Sequence, residues 1–392
     1  MWGRGFASTA RAAVEGRKWD AVVIGAGHNG LTAAAYLARG GMSVAVLERR
    51  HVIGGAAVTE EIVPGFRFSR CSYLLSLLRP SIIRLSLTFH TFWIFNRTCP
   101  SLFVGELELK PHGLKLLRPM AAAFTPCSDG RYLLLSFDED ENRREISKFS
   151  RRDADAYMRY ENQLDKFSRI MNFLLDSHPP EFQHEVPSFS DRMRSRVQKS
   201  VFWARCLRQI LSMGQKNVMD FVDLLLSPTS KTLNKWFETD VLKATLAANA
   251  TIGSMASIDS VGSGYVLLHH VMGESDGDRN VWAYVSDTFS SHVQGGMGSV
   301  SLAISNAAKE AGVHILTNTE EFVPPNLLPD DFFYAIKHSD YSSGVTKINV
   351  AVDKLPQFHC LNKPGVGSHH TGSIFIGCER YVMFKHLSFF FF

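Results

Sequence analysis

The sequence predicts an α/β protein in which a parallel strand–helix–strand unit opens the chain and is interleaved with a mainly helical, mixed α+β second domain. Three observations predict it. The stretch from Asp20 to Glu48 reads as strand, glycine turn, helix, second turn and second strand. Residues 149–272 carry apolar side chains at helical spacing. The length of 392 residues exceeds what one hydrophobic core usually encloses, so two domains are expected. Hydrophobic residues make up 45% and charged residues 20%, the balance of a folded globular chain. With a formal net charge of +4 and scattered basic residues, no nucleic-acid partner is expected.

In the first unit, Ala21 to Ile24 is a short continuous apolar run, expected to be buried on both faces of a parallel sheet. It runs into Gly25-Ala26-Gly27-His28-Asn29-Gly30, a G-x-G-x-x-G turn. The first glycine permits the turn, the second lets backbone approach a pyrophosphate, and the third allows helix and strand to pack closely. A helix over about His28 to Arg39 follows, ended by Gly40 and Gly41, and its N-terminal N–H groups face the turn, where an anion can bind. Val44 to Leu47 is the second buried strand. Glu48 ends it about twenty residues beyond the turn, where a carboxylate accepts hydrogen bonds from ribose hydroxyls. This is a Rossmann-type dinucleotide unit. The charge of Glu48 disfavours a 2′-phosphate, while Arg49 and Arg50 just after it leave NADP open.

The glycine pair Gly54 and Gly55 soon follows. A glutamate followed by two glycines resembles the extended motif of the FAD-dependent amine oxidase and phytoene desaturase superfamily. The string ERRHVIGGAAVTEEIVPGFRFSRCSYLLSLLRP, Glu48 to Pro80, narrows the resemblance to the phytoene desaturase and carotenoid isomerase-like FAD-dependent oxidoreductases. Similar strings at Leu107 to Pro119, Val261 to Glu274, His292 to Ile304 and Lys347 to Pro356 extend it to about two thirds of the chain. The resemblance implies FAD as cofactor and the oxidation, desaturation or isomerisation of a small apolar substrate. It adds Gly54 and Gly55 to a cofactor set of Gly25, Ala26, Gly27, His28, Asn29, Gly30, Glu48 and Arg49. Where the family often has an arginine after the glycines, this chain has Ala56. Gly295-Gly296-Met297-Gly298 precedes an apolar helix and reads either as an anion-binding turn or as a tight turn between domains. The resemblance implies that this segment returns the chain to the FAD-binding domain, with Gly295, Gly296 and Gly298 touching the cofactor. No catalytic residue is assigned.

The second domain is expected to be largely helical. Ser150 and Asp153 form a capping box, and Tyr157, Tyr160, Leu164, Phe167, Met171 and Leu174 form a core stripe. Asp259, His269 and His270 are acid or base candidates whose spacing fixes no role. The six cysteines contain no CxxC pair, which argues against zinc and against a disulfide reductase and leaves redox chemistry to a cofactor.

Residues 1–18 carry Arg4, Arg11, Arg17 and Lys18 against Glu15 on an amphipathic pattern, read as a mitochondrial transit peptide or, blandly, as a frayed terminus. Location in the matrix or on the matrix face of the inner membrane is expected from the first reading. Residues 19–80 form the FAD-binding βαβ unit, 81–106 an atypical apolar insert, and 107–290 the substrate domain. Residues 291–319 return to the FAD-binding domain, and 320–392 form a divergent C-terminal region. Within the insert Ile83, Leu85, Leu87 and Phe89 alternate with polar residues, as in a one-faced strand or a segment in peripheral contact with a membrane. Pro324 and Pro325 interrupt the strand expected after Thr317, and the chain ends in HLSFFFF, the pattern of a truncated or alternatively spliced form. Two alternatives to a flavoenzyme therefore stand: a non-catalytic or regulatory product that keeps the dinucleotide unit, and a nicotinamide-dependent dehydrogenase.

Overall fold

The computed structural model describes residues 16–75, 77–79, 82, 107–176, 189–253, 256–275, 278–279, 284–287, 295–319, 329–339, 347–361, 365–377 and 381. The insert read at 81–106 and the terminal phenylalanines lie outside these residues, apart from Ile82.

The first body contains β1 (Ala21–Ile24), α1 (His28–Arg39), β2 (Val44–Leu47), and the hairpin β3 (Thr59–Val63) and β4 (Phe66–Ser69). After β5 (Leu114–Leu117) come the β6 (Ala123–Pro126) and β7 (Tyr132–Leu135) pair and the helices α2 (Glu139–Ser147) and α3 (Arg151–Asp176). Helices α4 (Phe189–Met213), α5 (Gln215–Leu226), α6 (Thr229–Trp236), α7 (Asp240–Ala247) and α8 (Ser263–Val271) follow. The chain then forms the short strands β8 (Glu274–Ser275) and β9 (Asp278–Arg279), β10 (Tyr284–Asp287), α9 (Gly298–Glu310), β11 (His314–Leu316), α10 (Asp330–Lys337) and β12 (Ser373–Ile374).

Strands β1, β2 and β11 form a parallel sheet in that order, with Val23 opposite Val46 and Ile315 opposite Val46 on its other side. The expected bounds of β1, α1 and β2 are reproduced. Helix α1 ends where Gly40 and Gly41 stop it, and Gly41 is the residue that takes the left-handed conformation, at φ +90°. Helices α1 and α9 lie together through small residues, Ala34, Ala35 and Ala38 on one and Ala303, Ala307 and Ala308 on the other, all buried. Small side chains let the two axes approach, and fully enclosed neighbours such as Leu31 and Ile304 each contribute roughly 2 kcal/mol.

One expectation for this sheet fails. β2 is buried throughout, whereas in β1 Val22 is 49% and Ile24 67% exposed. Among the described residues β1 is an edge strand of a three-stranded sheet whose helices cover the face that Ala21 and Val23 share, so its alternate side chains look outward. An apolar run fixes a strand; it does not say how many layers enclose it.

Helices α2, α3 and α5–α8 build the second core with β6 and β7. Tyr157, Tyr160, Leu164, Phe167 and Met171 are buried as the stripe requires, and Leu174 falls outside it. The capping box is half realised. The Ser150 hydroxyl accepts from the Asp153 N–H at 3.1 Å, but the Asp153 carboxylate turns inward and accepts from the N–H groups of Glu238 (3.0 Å) and Thr239 (2.8 Å).

Domain allegiance also differs from the boundary at residue 107. Leu107, Leu109, Leu114 and Val285 bury in the core of the first body, because β5 pairs with β10 beneath α9. Near the other end of the chain, β12 joins β6 in parallel and Phe375 enters the second core, while residues 330–337, past the two prolines, form the exposed helix α10.

Candidate functional site

The glycine turn does what its spacing requires, position by position. Gly25 sits at φ +95°, and its N–H donates to the Leu47 carbonyl at 2.7 Å. A Cβ on Gly30 would lie 2.1 Å from the Gly25 carbonyl oxygen, so the third glycine is what lets α1 start against the turn. Gly27 is the N-cap of α1 in an extended conformation that any residue adopts, and a Cβ there would meet nothing closer than the Gly55 Cα at 3.8 Å. Its lack of a side chain therefore keeps space open rather than relieving strain.

The second glycine pair closes the other side. The Gly54 N–H donates to the Ala26 carbonyl at 2.8 Å, Gly27 and Gly54 form a parallel bridge, and a Cβ on Gly55 would stand 3.1 Å from the Gly27 Cα. Gly54 and Gly55 have φ +122° and +57°. Two strips of bare backbone thus run side by side, a cradle that side chains would fill.

Glu48 lies at the end of β2, buried, with its carboxylate folded back onto the turn. Oε2 accepts from the Ala26 N–H at 2.8 Å and Oε1 from the Arg50 N–H at 2.9 Å. Each oxygen keeps a further lone pair for a sugar hydroxyl. The arginines after it part company: Arg50 pairs with Glu60, whereas the Arg49 side chain is exposed. Only Arg49 is left to meet a 2′-phosphate.

Helix α1 has no side-chain cap, and the Nδ1 of His28, in its first turn, is buried without a hydrogen-bond partner. Buried orphan polar atoms are costly and call for a partner. An uncapped helix start, a bare cradle and an acidic sugar acceptor fit the diphosphate and ribose of a dinucleotide. Asn29 is exposed beside them.

The Gly295–Gly298 turn is arranged otherwise. The Met297 N–H donates to the Ser69 hydroxyl at 3.0 Å and the Gly298 N–H to the Thr59 hydroxyl at 2.9 Å. A Cβ on Gly296 would stand 2.7 Å from both hydroxyls. These glycines let the start of α9 dock on the β3–β4 hairpin, and the amides that an anion would need are already used. Of the two readings of this segment, the geometry is that of a tight docking turn.

Among the acid and base candidates, Asp259 is exposed. His270 is pushed down to about 3 by burial and by the neighbouring His269, so it stays neutral; burial lowers His269 as well. His270 lines a cavity of roughly 110 Å³ between the helical body and strands β6, β7 and β12. The cavity also exposes a residue that sequence reading passed over. Glu161 follows Tyr160 on α3 and, four residues after Tyr157, falls on the buried face. An acid at that step of a core stripe was the available signal.

Burial raises the Glu161 carboxyl from 4.5 to about 7, against a hydrogen bond from the Tyr157 hydroxyl that lowers it, and Asp165 adds to the rise. Glu161 is half-buried and lines the cavity. A carboxyl that holds its proton more tightly in the folded state costs stability as pH rises from about 4.5 through about 7, with no further loss above. Glu161→Gln is therefore expected to flatten that slope and to gain on the parent by roughly 3 kcal/mol between pH 4 and pH 8 in urea unfolding, from the 1.4 kcal/mol that each pKa unit represents. Parallel profiles for the two proteins would contradict the placement of Glu161.

Comparison with known proteins places this geometry. The family model of the NAD(P)-binding Rossmann-like domain matches residues 23–85, the segment that holds both glycine strips and Glu48. The chain is 42% identical, over 92% of its length, to pyridine nucleotide-disulfide oxidoreductase domain-containing protein 2 of Rattus norvegicus, and 41% identical to that of Mus musculus. Over that length the chain resembles these proteins. It spans 65% of the length of these two relatives. A limonene dehydrogenase polypeptide of Castellaniella defragrans is 37% identical over 39% of this chain and 25% of its own. The matched segment includes β1, α1 and β2, the Rossmann-type unit of the first body.

Proposed function

We propose that this chain is an FAD-dependent oxidoreductase of the phytoene desaturase-like type that acts on a small apolar substrate. One observation carries the reading: Glu48 and the Gly54–Gly55 strip close on the G-x-G-x-x-G turn and leave the α1 N-terminus without a side-chain cap beside bare backbone. Bound there, FAD supplies the two-electron acceptance that none of the side chains described can provide. The first-turn N–H groups of α1 hold the diphosphate, the free lone pairs of Glu48 take ribose hydroxyls, and Gly54 and Gly55 admit the chain that leads to the flavin. The likeness to the limonene dehydrogenase polypeptide, by its name part of an enzyme of a hydrocarbon, supports the apolar substrate.

Gly27→Val tests the cradle without straining the backbone, because Gly27 is extended and uncrowded. ADP affinity is expected to fall at least tenfold, about 1.4 kcal/mol, with the unfolding midpoint unchanged. Unchanged ADP affinity would remove the site. Heat release of the nucleotide from purified protein should yield FAD with a yellow supernatant. A colourless, folded protein that binds NADH would transfer the reading to a nicotinamide dehydrogenase, which the wording of the family model favours. A colourless protein that binds neither would support the non-catalytic alternative.

The proposed location is the mitochondrial matrix or the matrix face of the inner membrane, on the composition of residues 1–18. Peripheral contact with a membrane is supported by α4, where Trp203, Leu207, Ile210 and Leu211 are exposed at helical spacing beside Arg205 and Arg208. No helix among the described residues is long and apolar enough to cross a membrane.

A further inference from the structure

The cavity at Glu161 is built from an unusual set of groups. Tyrosines from three segments line it: Tyr157 and Tyr160 on α3, Tyr73 after β4, and Tyr284 on β10. Among the described residues that line it, Glu161 is the sole carboxylate and there is no lysine or arginine. Lys347 approaches Tyr73 at 5.6 Å from its ring, but donates to the Ser69 carbonyl and does not line the space. The Tyr160 hydroxyl, on a side chain almost wholly enclosed, has no hydrogen-bond partner.

A core that only needed packing would be served as well by an apolar residue in place of Glu161, since a buried carboxylate without a counter-ion is unfavourable. Below about pH 7 the carboxyl keeps its proton, and once it ionises none of the described groups facing it supplies a positive charge. Tyr157, Tyr160 and Asp165 share its helix, and the tyrosines are held protonated by burial. His270 on α8 stays neutral, and Tyr284 and Tyr73 have their hydroxyls pushed up by burial. What is missing is a positive charge, and aromatic rings within about 6 Å of a cation add to its attraction.

We propose that this cavity binds a small organic amine, its ammonium group paired with the Glu161 carboxylate among the tyrosine rings and its apolar part lying against Leu246, Leu267 and Phe375. The inference concerns ligand binding by the chain and does not depend on the flavin reading. An anionic ligand is repelled by the ionised carboxylate, and a neutral one gains nothing from its charge. Binding of the cation favours the ionised carboxylate, so near pH 6.5 the complex releases a proton to the buffer.

Titration calorimetry of the purified chain with benzylamine, benzyl alcohol and benzoate, at pH 6.0 and 8.0, tests this. Benzylamine is expected to bind roughly tenfold more tightly at pH 8.0 than at pH 6.0, and benzyl alcohol and benzoate at least tenfold more weakly than benzylamine at pH 8.0. In two buffers of different ionisation enthalpy at pH 6.5, the heat should report proton release. Glu161→Gln, close to isosteric, should weaken benzylamine roughly thirty-fold and abolish that release, while Tyr160→Phe, which keeps the ring, should bind within about threefold of the parent. Equal affinity for benzylamine and benzyl alcohol, or no benzylamine binding by the parent, overturns the proposal without any variant having to fold. Loss of flavin with benzylamine binding intact would sink only the cofactor reading.

Discussion

Gly30→Ala is expected to be the most damaging single-methyl change in the first body. The added Cβ would stand 2.1 Å from the Gly25 carbonyl oxygen and 3.3 Å from a Val23 methyl. The first neighbour is backbone held by the β1–β2 pairing, so neither it nor the start of α1 can yield without the other. A cost above about 3 kcal/mol follows, a fall of the thermal midpoint on the order of 10 °C, with dinucleotide affinity lost alongside. Gly25→Ala is the comparison. Its Cβ meets nothing within 4 Å, and the penalty is that of a positive φ alone, about 1–2 kcal/mol. If Gly30→Ala melts with the parent, the close helix–turn contact is wrong.

Asp153→Ala should weaken the second body nearly as much. The carboxylate is fully buried, accepts from the backbone of Glu238 and Thr239, and so fastens the first turn of α3 to the start of α7. Its removal takes the acceptor from two part-buried N–H groups, at roughly 1–3 kcal/mol each, so a loss of about 3 kcal/mol is expected in urea unfolding. Asp153→Asn keeps one acceptor oxygen and should lose about half as much. Equal stability of Asp153→Ala and the parent would show that water reaches those amides.

The two substitutions separate what a short stretch of chain decides from what needs the whole molecule. Gly30 was legible because its partner, Gly25, lies five residues away and the strand, turn and helix that bring them together are written in consecutive residues. The bounds of α1 and β2 followed from the same local rules. For Asp153 the local pattern suggested a capping box, and the first half of it formed; the other half lost to Glu238 and Thr239, 85 and 86 positions on. The carboxylate turned to two backbone donors that the fold brings to it from the start of α7.

Residue order was thus enough for the strand–turn–helix–strand unit, the backbone freedom its first and third glycines need, the acid that ends β2 and the helical core stripe, since each depends on backbone conformation and side-chain spacing within about thirty residues. The rest was settled by long-range packing. It turned the faces of Val22 and Ile24 outward and drew Leu107 and Leu109 into the first core. It gave the amides at the start of α9 to Ser69 and Thr59, 228 and 239 residues away, and it enclosed Glu161 among tyrosines from three segments. One cause is common to all four: whether an N–H is satisfied, a side chain covered or a carboxyl desolvated depends on what the fold sets against it, and that neighbour is not written nearby.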